Sequence, residues 1–137
     1  MKPIWIVLMV IATLAVAMGI VLSLYRDGRE STAEVQKLIP YAQAREYVGQ
    51  TVTVWGTIRN VFNNRLAVYL GFTEPRRGSF FVRILKEDWG NFPQHPETLY
   101  RPGQLVYVHG KIVWYQGDPV IYVRHPAQIT IIKEGSQ

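Results

Sequence analysis

The chain has 137 residues, of which 48% are hydrophobic and 18% charged, and its 15 Lys or Arg against 10 Asp or Glu give a net charge of +5. Because the sequence contains no cysteine, it excludes a disulfide framework and a thiol site. Beyond its first apolar stretch the chain has room for one small domain, whose mildly basic charge is compatible with a polyanion or an anionic lipid.

The first predicted element is an apolar helix. Residues 3–25 read PIWIVLMVIATLAVAMGIVLSLY and contain no charged side chain. As a helix, about 20 apolar residues cross the ~30 Å hydrocarbon core of a bilayer. Trp5 and Tyr25 lie near the two ends, where interfacial aromatic side chains are common. We therefore predict a transmembrane anchor over residues 1–25, which makes the chain a single-pass, bacterial-type membrane protein with the bilayer as a partner through residues 3–25.

A cleaved signal peptide is the alternative to the anchor. Lys2 provides a short positive region, and Ala15-Val16-Ala17 resembles a cleavage site. Cleavage there would leave an apolar new terminus, so an uncleaved anchor is favoured. The positive charges after residue 25 favour a cytoplasmic domain, whereas the short N-terminal flank favours export. We expect the domain on the extracytoplasmic side.

After the anchor we predict a polar linker over residues 26–38 and one domain over residues 39–134. A short helix over residues 41–47 follows Pro40 and opens the domain. Residues 51–60 then alternate between apolar and polar side chains, which predicts a first, half-buried strand. Asn63-Asn64 indicates a turn, since Asn tolerates positive φ.

Alternation continues in the second and third predicted strands. The second, RLAVYLGF, is predicted to point Leu66, Val68, Leu70 and Phe72 inward and Ala67 and Tyr69 outward. The third, SFFVRIL, follows the loop 74–78 and is predicted to point Phe80, Val82 and Ile84 inward and Phe81 and Arg83 outward.

The pattern then changes in KEDWGNFPQHPETLYRPG, where we predict loops and a short helix near residues 87–89 or 96–100. Three aromatic side chains of this insert are predicted to plug one end of the core: Trp89, Phe92 and Tyr100. The fourth strand, QLVYVHGKIVWY, is predicted to place Val106, Val108, Gly110, Ile112 and Trp114 on one face. A tight turn at Gln116-Gly117-Asp118 leads into a last strand that Pro126 interrupts.

These elements predict an all-β fold: a five-stranded OB-fold Greek-key barrel with a short helix between strands 3 and 4, preceded by one transmembrane helix. Gly56 and Gly110 lie within strands in matching VxVxG contexts. An interior glycine weakens an ordinary strand, so we expect both positions to have a geometric reason in a sharply bent sheet.

The domain resembles the OB-fold nucleic-acid-binding module of the nuclease-associated, tRNA-anticodon-like type. The resemblance rests on REYVGQTVTVWGTI and GQLVYVHGKIVWYQGDPVIYVRHPAQI and covers most of the chain after Pro40. The matching positions are Gly49, Val54 to Gly56, Val108 to Gly110, Tyr115, Gly117, Pro119, Ile121, Pro126, Gln128 and Ile129. His125 departs from the pattern, which usually has an acidic residue there. The resemblance implies binding of single-stranded nucleic acid.

The membrane-anchored haem chaperones of cytochrome c maturation have a similar layout of one anchor and one OB barrel. Their distinguishing mark is a histidine in an exposed tail. Here His125 lies in the strand-like run VRHPAQI, so this second resemblance is poor.

OB-folds bind along the outward face of their second and third strands and the flanking loops. On this basis the predicted nucleic-acid-binding residues are Trp55, Arg59, Arg65, Tyr69, Phe81, Arg83 and Tyr115. Aromatic rings stack on bases and guanidinium groups neutralise phosphates, which suits single-stranded DNA or RNA. The alternative is that the rings pair across strands and the arginines are only solvated.

No motif for catalysis or metal binding is recognisable. Glu87-Asp88 are adjacent and cannot easily share a proton, and the histidines lack metal-ligand spacing. We predict a protein that is not an enzyme and has no cofactor and no metal. The open alternatives are an envelope protein-interaction or assembly module and a haem carrier.

Overall fold

The computed structural model describes residues 37–135, which are mostly β-sheet with short helices. The strands are β1 (Leu38–Pro40), β2 (Thr51–Thr57), β3 (Asn60–Asn63), β4 (Ala67–Gly71), β5 (Phe81–Leu85), β6 (Leu105–Tyr115), β7 (Asp118–Tyr122) and β8 (Ile129–Lys133). The helices are the 3₁₀ segments Tyr41–Tyr47, Lys86–Asn91 and Pro126–Gln128 and the single α-helical turn Pro96–Leu99.

The predicted anchor and most of the predicted linker lie outside the described residues. Among residues 37–135 the structure has no helix with the length and apolar character needed to span a bilayer.

The strands follow the spatial order β1-β2-β6-β7-β5-β4-β3, with β8 paired to β6. The β1–β2 and β5–β7 pairs are parallel and the other pairs are antiparallel. β2 and β3 are far apart in this order, yet only Ile58 and Arg59 separate them along the chain. One bent stretch of chain therefore supplies both β2 and β3, the first and the last strand of the series β2-β6-β7-β5-β4-β3.

Residues 37–135 form eight strands where the sequence predicted five. The first predicted strand is interrupted after Thr57 and resumes as β3. The last is divided by the 3₁₀ helix that begins at Pro126, as the proline predicted. β1 was not predicted, because three residues are too few for a periodic pattern.

Alternation correctly predicted most of the core. The inward side chains of β2, β5 and the first part of β6 are buried, among them Val52, Val82, Ile84, Val106 and Val108. Their side chains pack into one apolar cluster. Burial of such side chains is the main favourable contribution to folding.

Two inward or outward assignments were wrong. Leu66 was expected inward and is 68% exposed, and Ala67 was expected outward and is fully buried. Trp114, which was expected on one face with Val106, Val108 and Ile112, is 53% exposed, whereas those three side chains are buried. At that point β6 pairs only with β7, opposite Pro119, beyond the length that β2 covers.

The β3–β4 turn explains the error at Leu66. The Asn64 side-chain oxygen accepts the backbone N–H groups of Leu66 at 2.9 Å and of Ala67 at 2.8 Å. This Asx-type turn delays the start of β4 to Ala67, so Leu66 belongs to the turn. The predicted Asn turn is present, but the positive φ, 74°, falls on Arg65.

Gly56 and Gly110 have the predicted geometric reason. A Cβ at Gly56 would lie 2.7 Å from Tyr41 Cδ1 and 2.8 Å from Phe72 Cδ1. A Cβ at Gly110 would lie 2.7 Å from Ile121 Cγ2. Both glycines therefore admit a core side chain close to the backbone.

The insert between β5 and β6 packs onto the core as predicted. Phe92 and Tyr100 are 7% and 4% exposed, and their rings meet edge to face at 6.2 Å. Trp89 packs against the same cluster and its indole N–H donates to the backbone oxygen of Ile84 at 3.0 Å. Both short helices predicted as alternatives are present.

Candidate nucleic-acid interface

One outward-facing row of side chains crosses four adjacent strands. Phe62 of β3 lies opposite Tyr69 of β4, Tyr69 opposite Arg83 of β5, and Arg83 opposite Tyr122 of β7. Because side chains opposite each other in a sheet share a face, the register alone brings three rings and one guanidinium together.

Two further rings from the same face join this row. The Phe81 ring centroid lies 5.4 Å from that of Tyr69 and 6.4 Å from that of Tyr115. Phe62 lies 6.3 Å from Tyr69 at the other end. We call these six side chains the aromatic–arginine face: Phe62, Tyr69, Phe81, Arg83, Tyr115 and Tyr122.

Arg83 is the centre of the face. Its Nε–H donates to the Tyr69 hydroxyl at 3.2 Å, and its Nη1 donates to the Tyr122 hydroxyl at 3.1 Å. The guanidinium carbon lies 4.0 Å from the centroid of the Tyr115 ring. Hydrogen bonds and a cation–π contact thus fix the side chain in a single orientation.

Partial burial by itself lowers the pKa of Arg83. The hydrogen bonds to Tyr122 and Tyr69 outweigh that effect, so the pKa lies above its ordinary value. The guanidinium therefore stays protonated and keeps its positive charge beneath the rings.

A groove of about 390 Å³ adjoins the face between β3, β4 and the loop that precedes β5. Tyr69 and Phe81 belong to its apolar lining, together with Phe72, Pro75 and Phe80. Its polar lining consists of Asn60, Thr73, Glu74, Arg76, Arg77, Ser79 and Asp118. The groove thus combines rings with cations, carboxylates and other hydrogen-bonding groups.

The loop 73–79 carries the cations of the groove. Arg59 forms an ion pair with Glu74 at 2.6 Å, with both side chains about 60% exposed. Among the ion pairs of residues 37–135, none involves Arg76 or Arg77. Arg45 also approaches the loop, since a Cβ at Gly78 would lie 3.0 Å from its Nη1. The groove therefore has positive charge available at its rim.

The structure brings together four of the residues predicted as a binding site: Tyr69, Phe81, Arg83 and Tyr115. Arg59 borders a second groove beside the same loop, and Arg65 lies in the exposed β3–β4 turn. Trp55 lies elsewhere, since its register partners are Tyr107 of β6 and Pro40 of β1. It is 40% exposed and takes part in none of the ring contacts within residues 37–135.

Sequence reasoning missed Phe62 and Tyr122. Phe62 is 62% exposed. It directly precedes the turn signal Asn63-Asn64 in the sequence, so it was not assigned to a strand. Tyr122 lies on the outward parity of β7, where it meets Arg83 through the parallel β5–β7 pair. Alternation within β7 gave the signal for Tyr122, but only the pairing of distant strands brings it to Arg83.

The histidines have structural contacts. His109 Nδ1 lies 3.2 Å from the Thr53 hydroxyl oxygen on the outer side of β2 and β6. His125 caps the 3₁₀ helix that starts at Pro126, and its backbone N–H donates to Gln128 Oε1 at 3.2 Å. Within residues 37–135 no cluster of three His, Asp or Glu is arranged to hold a metal ion.

The sequence matches no protein-family model and no curated protein. The fold is similar to a solved structure described as an aspartyl-tRNA synthetase from Leishmania major Friedlin, with a TM-score of 0.50 and 13% identity. The similarity covers 77% of this chain and 22% of that one. At this identity the likeness is one of fold alone.

Proposed function

We propose that this chain is a non-catalytic, membrane-anchored OB-fold protein that binds single-stranded nucleic acid on its aromatic–arginine face. The observation that carries the proposal is the fixed position of Arg83 among Tyr69, Tyr115 and Tyr122 on an outward sheet surface. Because these rings are already fixed in position, bases can stack on them with little further loss of side-chain conformational entropy.

Strand pairing supports the OB-fold part of the proposal. An OB-fold is a small Greek-key barrel whose bent first strand pairs at both ends. Here β2 pairs with β6 while its continuation β3 pairs with β4, and the parallel β5–β7 pair joins the two halves. Along the chain, Ile58 and Arg59 join β2 to β3, which lie at opposite ends of this series of paired strands.

Charge supports a polyanionic ligand. Arg76 and Arg77 border the groove and form no ion pair within the described chain, so they are available to phosphates. Stacking contributes about 1–3 kcal/mol per base, which suits single strands because their bases are not already paired. The solved neighbour is named for tRNA, which agrees with a nucleic-acid ligand.

The membrane part of the proposal rests on the sequence. The uncharged residues 3–25 would hold the domain at a bilayer, and residues 26–36 would separate it from the lipid.

Binding of a fluorescein-labelled, mixed-sequence 12-mer to the full chain in detergent micelles tests the proposal. We expect binding at low salt and a linear fall of log affinity with log salt. Replacing Tyr69 and Phe81 together by Ala should weaken binding at least about tenfold, because two stacking surfaces are lost.

The matched control replaces Trp55 and Tyr107 by Ala. These two residues lie opposite each other in the register of β2 and β6, away from the aromatic–arginine face. This variant should bind as the wild type does. Absence of binding at low salt, or equal losses in the two double variants, would contradict the proposed function.

A further inference from the structure

We propose that the groove beside the loop 73–79 selects nucleobases carrying an exocyclic amino group, with the Asp118 carboxylate as the acceptor that reads it. This inference rests on the proposed function and names the ligand preference of the same site. It predicts that cytosine is bound in preference to uracil.

The position of Asp118 brings its carboxylate to the wall formed by Phe81. Phe81 of β5 lies opposite Val120 of β7 in the parallel pair, and Asp118 lies two residues before Val120 on the same side of that strand. Strand geometry places Asp118 roughly 7 Å from Val120 along β7. A base lying on the Phe81 ring thus has its edge within reach of this carboxylate.

The Asp118 carboxylate is fixed by one hydrogen bond and can still accept others. One oxygen, Oδ1, accepts the backbone N–H of Gly78 at 2.5 Å, which fixes Asp118 against the loop. A carboxylate offers about four acceptor positions. Within residues 37–135 the Asp118 side chain forms no other hydrogen bond or ion pair, and it lines the groove. Its remaining acceptor capacity is available to a ligand.

Acceptor chemistry determines which base fits. The amino group of cytosine donates hydrogen bonds at C4, where uracil presents a carbonyl oxygen. A carboxylate attracts the first and repels the second. Because the two bases share one ring size, stacking on Phe81 cannot distinguish them as strongly as this single group can.

The neighbouring arginines offset the repulsion between the Asp118 carboxylate and the phosphates of a polyanionic ligand. Arg76 and Arg77 line the same groove and can take up the phosphate on either side of the bound base. In this site the loop arginines bind the phosphates, and Asp118 accepts a hydrogen bond from the edge of the base.

Competition between oligo(dC) and oligo(dU) 12-mers for the full chain tests the proposal. We expect oligo(dC) to bind about tenfold more tightly, in the range of one good base-edge contact. In Asp118→Asn the side-chain oxygen can still accept the Gly78 N–H, while the other position becomes an N–H₂ donor. This variant should lose or reverse the preference for oligo(dC).

A second probe leaves the protein unchanged. An oligomer of N4,N4-dimethyl-deoxycytidine lacks the amino donors, so it should bind the wild type no better than oligo(dU) does. Dimethylation should matter little to Asp118→Asn, which separates lost donors from added bulk.

Equal binding of oligo(dC) and oligo(dU), or a preference that survives Asp118→Asn, overturns the base-selection proposal while the proposed function stands. If neither oligomer binds at low salt, the proposed function fails and this inference fails with it.

Discussion

Arg83 contacts three tyrosine side chains of the aromatic–arginine face, Tyr69, Tyr115 and Tyr122. We expect Arg83→Met to lower the free energy of unfolding by about 1–2 kcal/mol, because a cation–π contact and two charge-assisted hydrogen bonds are lost. Chemical denaturation of the full chain in micelles, followed by tyrosine and tryptophan fluorescence, measures the change.

Arg65→Met is the matched control for that measurement. Arg65 lies in the exposed β3–β4 turn, where its backbone N–H donates to Asn63 Oδ1, and its replacement should change stability by no more than about 0.5 kcal/mol. An Arg83→Met variant as stable as Arg65→Met would show that the Arg83 contacts contribute nothing to the fold.

Tyr100 makes the stability of the fold depend on pH in the alkaline range. Burial of its ring raises the pKa of its hydroxyl from 10.0 to about 12. Below pH 10 the hydroxyl is neutral in both states. Between about pH 10 and pH 12 the unfolded chain releases the proton and the folded chain does not, so stability falls as pH rises through this window.

The expected loss is about 2–3 kcal/mol across the window, at roughly 1.4 kcal/mol per pH unit. Unfolding of wild type and Tyr100→Phe, each measured from pH 9 to pH 12, isolates the contribution of this one group. The two proteins should differ in slope above pH 10. Parallel pH profiles would contradict the effect of burial at Tyr100.

At the scale of the elements, the packing of β2 and β6 against the core depends on Gly56 and Gly110 respectively. Gly56→Ala should destabilise the protein by about 1–3 kcal/mol, because its Cβ would overlap the rings of Tyr41 and Phe72 inside the core. Gly90→Ala is the matched control, since a Cβ there has no neighbour within 4 Å. Thermal unfolding compares the two, and equal melting temperatures would contradict the close approach at Gly56.

Much of the strand pattern could be predicted from sequence because alternation and turn residues are local signals. Pro126 correctly predicted a break, and Gln116-Gly117 correctly predicted a turn, with φ of 51° and 87°. β1 could not be predicted, since its three residues are defined by pairing with β2 and not by a pattern of their own. The exposure of Trp114 could not be predicted, because alternation does not show where a long strand passes the end of the core.

The candidate site was predictable where it lies on consecutive hairpin strands and, for Tyr115, beside the turn between β6 and β7. Tyr69, Phe81 and Arg83 belong to β4 and β5, which are consecutive in the chain, so their parity was enough to place them on one face. Trp55 and Tyr122 show the limit of this reasoning. Which face they share depends on the β2–β6 and β5–β7 pairs, whose strands lie far apart in sequence.

At the scale of the whole molecule, the described domain has two outward surfaces of different chemistry. The aromatic–arginine face and its groove combine rings, cations and the carboxylates of Glu74 and Asp118. On the sheet formed by β1, β2 and β6, the outward surface instead includes the exposed Leu38 and Trp55 and the imidazole of His109. Binding of nucleic acid is therefore expected on one surface and not on the other.

Photo-crosslinking identifies the contact surface directly. Full-length protein in micelles would be irradiated with a 12-mer containing 5-iodouracil, and the attached peptides identified by mass spectrometry. We expect crosslinks at Tyr69, Phe81 or Tyr115, and their loss when an unlabelled single strand competes. Crosslinks confined to Trp55 and Tyr107, or absent at low salt, would contradict it.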